Sequence, residues 1–101
     1  MSSVLEKIQA IEKMGARDEI DQTLRKWIQI HLQKYEQQVE NVQNELLPFE
    51  KQFGMSSARG YEKYEAGTLG DDADVMDWMG VYDNFRLYQE RVEMLRSVIE
   101  E

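Results

Sequence analysis

Ile28 to Phe53 reads IQIHLQKYEQQVENVQNELLPFEKQF, and its apolar positions decide the fold. They fall at Ile28, Leu32, Tyr35, Val39, Val42, Leu46, Phe49 and Phe53, alternately four and three residues apart. A second run keeps the same beat at Trp78, Val81, Phe85, Tyr88, Val92, Leu95 and Ile99. Seven-residue periodicity puts each set on one stripe of a helix and is the seam of helices packing knobs into holes. Two such helices joined by a compact connection make an antiparallel, coiled-coil-like hairpin.

Working outward from the first seam, the apolar spacing upstream is Ile20, Leu24, Ile28, Leu32, three successive fours. Such a stutter locally unwinds a supercoil and moves the seam. Trp27 lies beside it and widens the apolar stripe, where a third helix can pack. Asp18 is the expected N-cap, with Glu19 and Asp21 set against the positive end of the helix dipole. The helix predicted over 18–53 is roughly 54 Å long at 1.5 Å per residue. Pro48 removes the amide that would bond the Asn44 carbonyl, so a kink is expected near it. The seam stays in phase beyond Pro48, which argues against a break.

Upstream again, Ser3 and Glu6 have the spacing of a capping box and open a short helix over 3–14, stopped at Gly15. Its apolar face (Val4, Leu5, Ile8, Ile11) can dock on the bundle or cross to another subunit. Downstream of Phe53, Gly54 ends the long helix and Ser56 or Ser57 starts a short one over 57–66, interrupted in pattern by Gly60 and stopped by Gly67. Asp71 is the expected cap of the last helix, over 72–99, with Asp74 reaching back as in a capping box. Glu100 and Glu101 lie at its electronegative end, and that tip is expected to fray.

The prediction is therefore a single all-α domain over residues 1–101: two long helices, one short N-terminal helix and one short helix in the connection. Composition agrees, with 42% apolar residues, 32% charged residues and a single proline. A lone hairpin cannot bury aromatic-rich stripes such as these. Leaving Trp27, Trp78, Tyr35, Phe49, Phe53, Tyr82, Phe85 and Tyr88 wet would be a liability, so the seams are expected to serve self-association, most simply as a two-fold dimer.

The chain carries 20 acidic and 12 basic side chains, net −8, with no basic cluster. That argues against direct nucleic-acid binding, which rests on phosphate neutralisation, and against an anionic membrane surface. It favours a basic protein partner. There is no cysteine, which excludes disulfides and thiolate metal sites. No run approaches a membrane span and no basic-then-apolar leader opens the chain, so a cytoplasmic protein is expected.

Asp71, Asp72, Asp74 and Asp77, with Glu62, Glu65 and Asp83 nearby, form the main candidate site. Their spacing is not that of a calcium-binding loop and lacks the Glu-x-x-His pairs of di-iron bundles. Divalent metal remains an alternative use of these oxygens. Helix capping is the plainer one. His31 is the sole histidine, with no nucleophile or acid placed for catalysis. Gly67-x-x-Gly70 lacks the lysine and hydroxyl of a phosphate loop. A non-enzyme without a cofactor is expected. Tyr61 and Tyr64, outside both seams, are candidate partner anchors or covers for the hairpin end.

Phe53-Gly54-Met55-Ser56, Tyr61, Gly67-x-Leu69-Gly70-Asp71-Asp72-x-Asp74 and Trp78-x-x-x-Tyr82 together resemble a family of small prokaryotic helical proteins with a "GxLGDD" turn between two long helices. The resemblance spans roughly residues 20 to 99. It implies an antitoxin-like partner in a two-gene toxin–antitoxin module, whose acids stand in for phosphates on a basic toxin. The basic DNA-binding segment that many antitoxins carry is not visible in this sequence. A purely structural coiled-coil scaffold is the remaining alternative.

Overall fold

The computed structural model describes residues 1–99; the expected fraying of Glu100 and Glu101 falls outside them. Four helices occur among the described residues: α1 (Val4–Lys13), α2 (Arg17–Phe53), α3 (Ser57–Glu65) and α4 (Ala73–Ile99). None of them is long and apolar enough to cross a membrane.

The helix ends follow from local chemistry. The Ser3 hydroxyl accepts from the Glu6 amide at 3.1 Å and the Glu6 carboxylate accepts from the Ser3 amide at 3.4 Å, a complete capping box. Gly54 ends α2 in the left-handed conformation, φ +67°, which a side chain at that position would resist. The α1–α2 elbow departs from expectation. Asp18 lies inside the first turn of α2 and does not cap it. Ala16 takes the cap position with φ −100° and ψ 28° and no side-chain bond. The turn on Gly15 is so tight that its amides bond backward into α1, with Gly15 N–H donating to Glu12 and Ala16 N–H to Ile11. No extended residue is left to present a capping side chain. Pro48 lies inside α2, which continues through it to Phe53.

α2 and α4 run antiparallel, since Phe53 meets Trp78 at one end, Tyr35 meets Tyr88 further along, and Arg25 reaches the Ile99 carbonyl at the other end. Every seam residue from Ile28 to Phe53 and from Trp78 to Ile99 is buried or half-buried. The stripes assigned to association between chains thus face each other inside one chain. The core proper (Leu46, Val75, Trp78, Met79) sits where α3 folds under the closed end of the hairpin. The molecule is a rod of 58 × 26 × 21 Å, scarcely longer than α2 alone at roughly 55 Å. α1 therefore does not prolong the rod. It buries no residue completely, and Val4, Leu5, Ile11 and Met14 remain exposed.

Candidate functional site

The closed end is built around Trp78, which is 0% exposed. Its ring stacks on Phe53 at 4.7 Å and 6°. Its indole N–H donates to Ser57 Oγ at 2.9 Å, and the Ser57 amide donates in turn to Glu50 Oε2 at 2.8 Å. A buried indole needs such an acceptor, and a buried serine needs its own donors and acceptors met. Gly60 explains itself here. The α3 backbone lies directly on the Trp78 ring, and a Cβ at that position would stand 2.7 Å from Cζ2 and Cζ3. The glycine that weakens α3 as an isolated helix is what lets α3 approach.

From this anchor the chain turns to the acids. The Thr68 amide and hydroxyl both donate to the Lys63 carbonyl, at 2.9 and 3.1 Å, closing α3. Gly67 and Gly70 take φ +75° and +90°, and Leu69 between them packs on the core. The following aspartates then have separate tasks. Asp72, and not Asp71, caps α4: its Oδ1 accepts from the Val75 amide at 3.0 Å and its carbonyl from Met76 at 3.0 Å. Asp74 makes no return bond to the turn. It accepts from Gln52 Nε2 at 2.9 Å and ties the start of α4 to the end of α2. The Asp71 and Asp77 carboxylates are exposed and make no hydrogen bond or ion pair among the described residues.

Tyr61 and Tyr64 are half-buried against the core. The Tyr61 ring lies 5.5 Å from Tyr82 and beneath the Arg86 guanidinium, 4.5 Å from its centroid. Arg86 has its pKa raised, chiefly by its contact with Tyr61. The guanidinium sits over the ring face, so the contact is cation–π in character. The Tyr64 hydroxyl points to Met76 Sδ at 3.6 Å. Both tyrosines cover the hairpin end, which limits what they can offer a partner.

Residues 61–77 therefore carry six acids (Glu62, Glu65, Asp71, Asp72, Asp74, Asp77) against one base, Lys63, a net −5 out of the chain's −8. All six acids are exposed. Tyr64, Glu65, Gly67, Gly70 and Asp71 line a shallow, open concavity at the turn. Among the described residues no three His, Asp or Glu side chains come together as a metal site would require. Glu62 is engaged by Arg59 at 3.2 Å, an exposed pair of small energetic weight.

His31 is half-buried and stacks on Trp27 at 3.8 Å and 27°. Trp27 remains 55% exposed. Ile30, Met94 and Val98 are exposed too, and the seams do not contain them. The signal for them was a second stripe on α4, with Leu87 and Met94 seven residues apart and Val98 four further on.

Neither a family model, nor a curated protein, nor a solved structure gives a significant match to this chain.

Proposed function

We propose that this chain is a cytoplasmic, non-enzymatic interaction protein, a homodimeric helical hairpin whose acidic closed end binds a basic surface on another protein. The observation that carries this reading is the concentration of charge: net −5 within residues 61–77, exposed, on a rigid scaffold held by Trp78. Charge so placed steers a cationic partner and raises its association rate more than its affinity. A nucleic-acid-cutting toxin fits the description, because its basic active surface is made to hold phosphates and carboxylates can occupy it. The chain would then act as the antitoxin of a pair, by covering the toxin's substrate site.

The two free aspartates give a clean test. Asp72 and Asp74 hold the turn, so changing them mixes folding with binding, whereas Asp71 and Asp77 hold nothing. Native copurification at low salt, followed by mass spectrometry, is expected to recover a basic protein with the wild-type chain and to lose it with Asp71→Lys/Asp77→Lys. Raising the salt should weaken the wild-type complex, since exposed charges are screened beyond about 8 Å at physiological ionic strength. Recovery of the homo-oligomer alone, at native expression and mild salt, would refute the reading.

A further inference from the structure

The opposite, open end of the rod carries a different surface. Two contacts bracket it: Arg25 Nη1 to the Ile99 carbonyl at 3.4 Å, and the Glu36–Arg96 ion pair at 3.4 Å. The ion pair also marks one side of the hairpin. At 3.6 residues per turn, Trp27 lies about 180° round α2 from Glu36, and Met94 and Val98 each about 160° round α4 from Arg96. Trp27, Met94 and Val98 therefore share the other side, at one level of the rod, with Leu24 just beyond. All four are exposed, Trp27 by 55% and Met94 by 61%.

α1 ends at the same place. Its stripe of Val4, Leu5 and Ile11 is exposed, and Met14 beside the elbow is exposed as well. A helix of this length is marginal without packing, and within its own chain α1 leaves the open-end patch exposed. Two unpartnered apolar surfaces thus lie at one end of one chain.

The areas say what covers them. A compact monomer of 12.0 kDa exposes about 6,000 Å², whereas this chain exposes 7746 Å². Its radius of gyration is 19.6 Å, against about 13 Å for a compact domain of this size. Rods expose more than spheres, but this rod also leaves large apolar side chains of both long helices exposed together at its open end. The excess, on the order of 1,700 Å² per chain, lies within what an obligate two-fold interface buries on each side.

We infer that the open end is the surface on which two copies of this chain meet, with α1 of each copy laid across the Leu24–Trp27–Met94–Val98 patch of the other. A two-fold arrangement satisfies both surfaces at once, because each copy supplies one helix and one patch. The inference rests on the proposed dimeric module and says nothing of its basic partner. The acidic turn, at the far end of a 58 Å rod, stays free in this dimer.

Sedimentation equilibrium of the full chain over a wide dilution series tests it. A species of about 24 kDa, twice the 12.0 kDa chain, is expected. Trp27→Glu, and separately Leu5→Glu, should each raise the dissociation constant about 30-fold or more, as expected for anchors at the centre of an interface. Both residues are exposed in the single chain, so helicity by circular dichroism should hold for the variants that dissociate. Dilution of the wild type should also shift tryptophan emission to the red, through Trp27 alone, since Trp78 is buried in either state. A monomer at every concentration, a dimer indifferent to either substitution, or emission that does not move with dilution would each overturn the inference. The Asp71→Lys/Asp77→Lys variant should remain dimeric, which separates this outcome from that of partner binding.

Discussion

Gly60→Ala and Gly80→Ala are the same substitution in helix interiors, and the structure predicts opposite signs for them. Alanine in place of an interior helical glycine stabilises by about 1 kcal/mol where nothing obstructs it. At Gly80 nothing lies within 4 Å of the added methyl, so the full gain should appear. At Gly60 the methyl would overlap Trp78 Cη2 and stand 2.7 Å from Cζ2 and Cζ3, when ordinary contact is 3.4–4 Å, so the ring must move by roughly 1 Å or more. It has nowhere cheap to go. Phe53 is stacked on the ring at 4.7 Å, and its indole N–H is held by Ser57 at 2.9 Å. Overpacking of this kind costs about 1–3 kcal/mol, and losing the indole bond adds about 1–3 kcal/mol for the unpaired buried groups. Against the 1 kcal/mol helix gain, Gly60→Ala should destabilise by about 1–5 kcal/mol. A cost of 2 kcal/mol lowers Tm by roughly 10 °C for a domain of this size. Urea unfolding followed by circular dichroism, at matched protein concentration, is the assay, because a dimer's stability depends on concentration. Gly60→Ala as stable as the wild type, or as Gly80→Ala, would refute the close approach of α3 to Trp78.

The remaining predictions concern the same end of the rod. Ser57→Ala strands the Trp78 indole N–H in the core and should cost about 1–3 kcal/mol in urea unfolding. Ser56→Ala, which removes the cap that accepts from the Arg59 amide at 3.1 Å, should cost about 1 kcal/mol. Asp72→Ala should likewise cost about 1 kcal/mol, and Asp71→Ala should change stability by less than about 0.5 kcal/mol; equal effects would show that the cap is misplaced. Arg86 adds no pH dependence across the neutral range. A raised guanidinium pKa contributes stability that is lost only as pH rises through that value, far into alkali. Lowering the pH from neutral should therefore leave its contact with Tyr61 in place.

The hairpin was legible because its cause is periodic. A stripe at alternating three and four spacing has one physical use, and Ile28 to Phe53 found it against Trp78 to Ile99. Glycines at helix ends were legible for a similar reason, since the left-handed backbone at Gly54 follows from the residue alone. Gly60 was not, because its reason is the ring of Trp78, which local pattern does not bring near. The α4 cap was displaced by one residue within an Asp-Asp pair, where either carboxylate has the chemistry and only the path of the turn chooses. Asp18 failed as a cap because the elbow at Gly15 closes on backbone bonds and starts α2 earlier. Tyr61 and Tyr64 stood outside both seams and so looked free, yet α3 folds them against the core. The acidic end itself could be read from composition. What could not is that Asp72 and Asp74 already serve the fold, leaving Asp71 and Asp77 unencumbered.

The central claim is that the free charge at the closed end recognises a basic partner. Native copurification with the wild-type chain and with Asp71→Lys/Asp77→Lys, side by side at equal expression, tests it most directly. The account predicts a basic protein in near-stoichiometric amount with the wild type and its loss from the variant, with helicity unchanged. The same proteins recovered from both, or no protein beyond the chain itself from either, would contradict it.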